Sequence, residues 1–146
     1  MQEDVNEYES FAKRMEEKYP AMFSIPYGGF AVGKGWYPVL EALCDNIQNY
    51  TDWQNKNHEK HPVVEQVVVE QIKEKFGGLR FYYQGGDDEI SGMVRMAESW
   101  ASVACEECGG IGKRRGGGWV RTLCDLHEVE VQARRNIYMK ENGLEE

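Results

Sequence analysis

Apolar residues change their spacing twice along this chain, and the changes divide it into elements. Val5, Tyr8, Ala12, Met15 and Tyr19 recur at helical spacing with charges between them, and Pro20 closes the segment. The glycine-rich stretch from Ile25 to Trp36 shows no period and reads as a loop. Trp36, Leu40, Leu43, Ile47 and Tyr50 restore the helical spacing. Pro38 sits near that helix's first turn, where a missing N–H costs nothing. Asn55 to Pro62 is polar and reads as a linker.

From Val63 to Tyr83 the pattern becomes that of strands. β-Branched Val67, Val68 and Val69 and aromatic Phe81, Tyr82 and Tyr83 flank Gly77-Gly78, which predicts a hairpin over 67–83. With Gly77-Gly78 as a two-residue turn, Phe76 faces Leu79, Lys75 faces Arg80, Glu74 faces Phe81 and Lys73 faces Tyr82. Alternation then puts Ile72, Glu74, Phe76, Leu79, Phe81 and Tyr83 on a core-like face. Lys73, Lys75, Arg80 and Tyr82 share the other.

Asp87 and Asp88 can cap a third helix, which carries Ile90, Met93, Val94, Ala97, Trp100, Ala101 and Ala104. A fourth, with Val129, Ala133 and Ile137 on one face, ends before Gly143. The sequence of elements predicts an α+β fold, helices around a β-hairpin. It reads as a single domain, 1–146, with a metal-binding subregion at 105–127.

That subregion holds the strongest chemical signal. Cys105 and Cys108 form one pair, and Cys124 and His127 another, with fifteen residues between the pairs. Two-residue spacing lets one tight turn aim two side chains at a single ion, and two such turns supply four ligands. Thiolate and imidazole ligands in that number suit tetrahedral Zn²⁺. Gly109 and Gly110 free the backbone to bring N–H groups to the sulfurs. Four protein ligands close the coordination sphere, so a structural ion in a zinc-ribbon-like turn is expected rather than a catalytic one. Residues 105–127 carry many glycines and few large apolar side chains, so metal binding must supply much of their folding free energy.

Charge narrows the function classes. The net charge of −8 argues against a general nucleic-acid binder. Residues 110–123 are an exception, with Lys113, Arg114, Arg115 and Arg121 and no acidic residue. An acidic N-terminal helix pairing with this basic segment would account for the asymmetry. No stretch approaches the roughly 20 apolar residues of a membrane span. The acidic start Met1-Gln2-Glu3-Asp4 is unlike a secretory signal, so a reducing cytoplasm is expected.

Other residues carry weaker signals. Lys73, Lys75 and Arg80 beside Tyr82 read either as a solvated strand face with carboxylate partners or as an anion site. Gly28 to Gly35 lacks the G-K-[ST] of a phosphate loop and reads as structural. His58 and His61 read as a solvated linker, and Cys44 as a buried small hydrophobe.

Three motifs carry a resemblance. They are Gly35 to Cys44 (GWYPVLEALC), Gln71 to Tyr82 (QIKEKFGGLRFY), and Ala97-Glu98-Ser99 followed by C-E-E-C-G, Trp119 and Thr122-Leu123-Cys124-Asp125. Together, over residues 35 to 127, they resemble small zinc-binding proteins carried by tailed bacteriophages and prophages. His127 departs from that pattern, where such proteins often have cysteine. The resemblance implies a phage accessory protein acting in the bacterial host cytoplasm, and it brings no reaction with it.

The expectation that joins these readings is a non-enzymatic counter-defence protein. It would sequester a phosphorylated small molecule such as a nucleotide immune signal. Lys73, Lys75 and Arg80 would meet phosphate, and Tyr82 or Trp36 would stack on the base. The alternatives are an adaptor or inhibitor of a host protein, for which the acidity speaks, and single-strand nucleic-acid binding by the basic metal region.

Overall fold

A computed structural model of the chain describes residues 1–144. Four helices surround small sheets: α1 (Gln2–Lys18), α2 (Tyr37–Asn55), α3 (Asp88–Ala101) and α4 (Asp125–Glu141). The strands are β1 (Phe30–Ala31), β2 (Val68–Lys75), β3 (Gly78–Gln84), β4 (Lys113–Arg115) and β5 (Arg121–Leu123). The fold is α+β, as the pattern predicts. Two features lie outside that prediction. Phe30–Ala31 adds a short parallel strand beside β2, and residues 113–123 form a second, two-stranded hairpin between the metal-binding turns.

The core lies where α1, α2 and α3 meet the three-stranded sheet. Trp36, Leu40, Ile47, Ile72, Leu79 and Ile90 are fully buried there. Each such side chain contributes about 1.5–3 kcal/mol of transfer free energy. Phe11 joins them from α1, stacked on Tyr37 at 4.1 Å and edge-on to Phe30. Val5, at the start of the expected stripe, is exposed instead, so the buried stripe of α1 is rotated toward Phe11 and Met15. Asp87 caps α3 by accepting from the Ile90 N–H at 3.1 Å. Glu98 accepts from the Phe81 N–H, which covers part of the free edge of β3.

The hairpin register differs from the expectation. Lys75 pairs with Gly78, Glu74 with Leu79, Lys73 with Arg80 and Ile72 with Phe81. The turn is therefore Phe76-Gly77, both at positive φ (53° and 80°), as a type I′ turn requires. The slide is two residues, so each paired strand side chain keeps its face and only its partner changes, while Phe76, expected on the core-like face, moves into the turn and is exposed. Two contacts favour this register. The buried Thr122 hydroxyl on β5 donates to the Gly77 carbonyl at 2.6 Å, and the Gly77 N–H donates to Glu74. Phe76 accepts an unusual backbone conformation for a bulky residue so that the tip can dock on β5. A bulge at Glu70 explains why Val69 and Ile72, three residues apart, both face the core.

Among the described residues, no helix is long and apolar enough to cross a membrane.

Candidate metal centre and the adjoining groove

Two local structures present the metal-binding side chains. The 105–108 pair sits in a turn closed by the Gly109 N–H on the Cys105 carbonyl at 2.7 Å. The Gly110 N–H then points at the Cys108 sulfur, 3.4 Å away. The 124–127 pair is the first turn of α4, with Cys124 as its N-cap, accepting from the His127 N–H. β4 and β5 bring the two turns together.

The Cys105, Cys108 and Cys124 sulfurs and a His127 ring nitrogen all lie within 4.8 Å of one another. Cys108 Sγ is 3.9 Å from Cys124 Sγ, and His127 Nδ1 is 3.7 Å from Cys105 Sγ and 3.2 Å from Cys124 Sγ. A tetrahedral ion with metal–sulfur bonds of about 2.3 Å and metal–nitrogen bonds of about 2.0–2.1 Å needs edges of about 3.8 and about 3.6 Å. The donor set therefore fits one four-coordinate ion, with Nδ1 as the imidazole ligand. His127 Nε2 lies 3.7 Å from Glu130, an acidic neighbour on its outer side. Burial raises the Cys105 thiol pKa, but the backbone N–H groups of Cys124, Cys108 and Glu107 outweigh it and bring it to about 7. A thiolate is then accessible near neutral pH, and metal ligation needs the thiolate.

Glu106, inside the first pair, is a strut between this knuckle and the body. Its buried carboxylate accepts from the Gly33 N–H at 2.8 Å and faces Arg121 at 3.4 Å. Burial pushes its pKa up, while the Gly33 N–H and Arg121 act against that. Its carbonyl accepts from the Gly35 N–H, and its own N–H bonds to Thr122. A Cβ on Gly33 would lie 2.4 Å from the Glu106 carbonyl oxygen, and one on Gly35 would lie 2.2 Å from that of Cys105. The glycine-rich loop is thus structural, as expected. It lets the backbone of the body touch the backbone of the knuckle.

The expected small-molecule residues divide. Lys73 and Arg80 are directly opposite one another, and Lys75 lies over the Phe76 ring at 5.8 Å. Among the described residues none of these three cations has a carboxylate within 4.0 Å, so the face is not neutralised by ion pairs. Tyr82 shares the face and is exposed. Trp36 is corrected. It is fully buried and donates its Nε1–H to the Ala104 carbonyl at 2.9 Å, so it anchors the core to the knuckle and cannot stack on a ligand. The pairing of the acidic N-terminal helix with the basic metal segment is also corrected. Asp4 and Glu7 meet Lys34, while Arg115 and Arg121 find Asp125, Glu106 and Glu107 close by. His58 and His61 are exposed, and Cys44 is buried with its thiol pKa pushed up by burial.

One concave site falls outside the sequence reading. An open groove of about 730 Å³ lies between the β2–β3 tip, the β4–β5 loop and α4. Exposed Phe76, Trp119 and Tyr138 line it together with Arg121, Arg134 and Arg135. Glu74 and Glu107 complete its polar wall. The Arg135 guanidinium lies 4.6 Å over the Trp119 ring, and its buried Nε–H has no partner. An isolated tryptophan after Gly116-Gly117-Gly118 was the one local signal for this site. Phe76 was hidden because a Gly77-Gly78 turn would have placed it on the core-like face.

No family model matches this chain. No curated protein sequence matches it either. Nor does any solved structure.

Proposed function

We propose that this chain is a non-enzymatic, zinc-stapled binding protein that takes a phosphorylated ligand bearing a flat ring, of the nucleotide class. The observation that carries the reading is the groove beside the metal knuckle, where a buried Arg135 Nε–H lacks a partner against the Trp119 ring. Aromatic plates bind a base face, and guanidinium groups bind phosphate. The ring would lie on Trp119 or Phe76. Phosphate would meet Arg135, and Lys75, Lys73 and Arg80 would extend the positive field beyond the tip. Three thiolates with one imidazole in a closed tetrahedral set favour Zn²⁺, which would hold the groove's walls in place rather than activate water. In the phage setting that the three motifs suggest, the ligand would be a nucleotide immune signal in the host cytoplasm, and the protein's role its sequestration.

The test is calorimetric titration of the zinc-loaded protein with a panel of cyclic and linear nucleotides. The variants are Arg135→Ala, Trp119→Ala and Arg80→Ala. A charge-assisted phosphate contact is worth roughly 1.5–3 kcal/mol, so Arg135→Ala should weaken binding about tenfold or more. Trp119→Ala should cost a similar amount through lost stacking. Arg80→Ala should act more weakly, and salt should reduce affinity. Binding that stays above millimolar, or that ignores Trp119 and Arg135, sinks the reading.

A host-protein partner is the second reading. It is favoured by an open apolar groove of about 530 Å³ between α2 and α3, lined by Val39, Leu43, Met93, Met96 and Trp100 among others. Mass spectrometry of material co-purifying from infected cells separates the two.

A further inference from the structure

Three sulfurs share the knuckle but not an environment. Cys105 is buried, Cys124 is half-buried and Cys108 is exposed to solvent. Cys105 is also fixed through its backbone. Its N–H donates to the Gly110 carbonyl and its carbonyl accepts from the Gly109 N–H, both at 2.7 Å. Cys124 Sγ lies 3.9 Å from Cys108 Sγ, across the gap between the first turn and the start of α4. A soluble oxidant therefore meets Cys108 first, and Cys124 is the sulfur placed to answer it. Cys44, the remaining cysteine, is buried in the core of the body and out of reach.

We infer that Cys108 is a peroxide-sensitive modification site with Cys124 as its resolving partner, and that the resulting disulfide closes the knuckle without a metal. In the first step the Cys108 sulfur attacks one oxygen of hydrogen peroxide. An S–O bond forms, the O–O bond breaks, and the other oxygen leaves as water. In the second step the Cys124 sulfur attacks the sulfenic acid on Cys108. An S–S bond forms, the S–O bond breaks, and a second water leaves. Each sulfur gives up one electron and the peroxide takes both. Where the sulfurs start as thiolates, two protons from solvent complete the waters. The sulfurs must close from 3.9 Å to about 2.0 Å, a side-chain movement. Cys105 and His127 are then the only ligands left for an ion that needs four, so the disulfide and the metal exclude one another. The choice of pair decides the consequence. A Cys105–Cys108 bridge would lie within one turn and leave the other untied. A Cys108–Cys124 bridge joins residues 16 apart, one on each turn, which is the tie the metal would supply. The β4–β5 hairpin, paired from Lys113 with Leu123 to Arg115 with Arg121, sits inside that loop and stays closed. Oxidation thus exchanges one clamp for another.

The inference does not depend on nucleotide binding. Its test is treatment of the zinc-loaded protein with hydrogen peroxide, alkylation of the remaining thiols, and peptide mapping by mass spectrometry without reduction. A Cys108–Cys124 bridge is expected, with Cys105 and Cys44 alkylated and zinc released to a chromogenic chelator. Hydrogen exchange then reads the second half of the claim. Amides of β4 and β5 should stay protected in the oxidised protein under chelator, and dithiothreitol should remove that protection and restore zinc uptake. In the reduced protein the same chelator should abolish it. Cys108→Ser should suppress the bridge at the same dose of peroxide, and the mapping of the wild type stands even if this variant folds poorly. A main bridge that includes Cys105 overturns the inference. So does oxidation of Cys108 to higher acids with no bridge, or an oxidised protein whose β4 and β5 amides lose protection under chelator.

Discussion

Trp36, Leu40, Ile72 and Leu79 in the body formed by α1, α2, α3 and the three-stranded sheet are wholly removed from water, whereas α4 and the turns before it bury almost nothing apolar. Leu123 and Cys105 are the exceptions, and Cys105 itself belongs to the candidate metal site. The body has an apolar core of its own. The knuckle has few apolar side chains to offset the chain entropy it loses, and its three cysteines and one histidine are placed to hold a metal ion that would close it. The two regions are joined by polar backbone contacts: Gly33 and Gly35 on Glu106, Trp36 on Ala104, and Thr122 on Gly77. One short chain can combine a conventional core with an attachment built around a candidate metal site, provided glycines let the two backbones touch.

The largest break in this comparison should come from removing the metal. Structural zinc supplies an apparent folding free energy of about 10–16 kcal/mol in isolated fingers at neutral pH. Chelation, or Cys105→Ser, should abolish hydrogen-exchange protection across the knuckle and α4 while the body keeps a cooperative unfolding transition. Native mass spectrometry of a metal-free chain whose knuckle stays protected would falsify the metal's structural role.

A core truncation should act in reverse. Leu40→Ala leaves a cavity in the body and should cost about 2–5 kcal/mol in denaturant unfolding, with the metal-binding capacity of the knuckle unchanged. Loss of that capacity would mean the two regions fold as one unit.

Smaller effects should come from the junction. Thr122→Val removes the hydroxyl that satisfies the buried Gly77 carbonyl and should cost about 1–3 kcal/mol. Amide temperature coefficients at Phe76 and Gly77 should show the tip loosened from β5. Unchanged tip amides would show that the hairpin register does not depend on this contact.

Asp87 should show the smallest effect. The Tyr50 hydroxyl, followed by the α3 backbone N–H groups, lowers its carboxyl pKa. A lowered folded-state pKa means the stabilisation is present above the ordinary carboxylate range and is lost as pH falls through the folded value. Comparison of melting temperature against pH for wild type and Asp87→Asn should therefore show a gap near neutral pH that closes in acid. A gap that widens in acid would reverse the assignment.

The sequence by itself determined the candidate ligand set, the helices and, Phe76 apart, the faces of the hairpin strands. Those features rest on local rules: two-residue spacing for chelating turns, helical spacing for buried stripes, and alternation in strands. Cys105, Cys108, Cys124 and His127 are legible because a turn sets their separation. Only the tertiary structure decided the rest. It moved the hairpin turn to Phe76-Gly77 because Thr122, distant in sequence, bonds Gly77. It buried Trp36 because Ala104 offers it an acceptor. It gathered Phe76, Trp119 and Arg135 around one groove, which no sequence window spans. It also left Val129 and Ile137 exposed, because periodicity reports that a helix has an apolar face and says nothing of whether the same chain covers it.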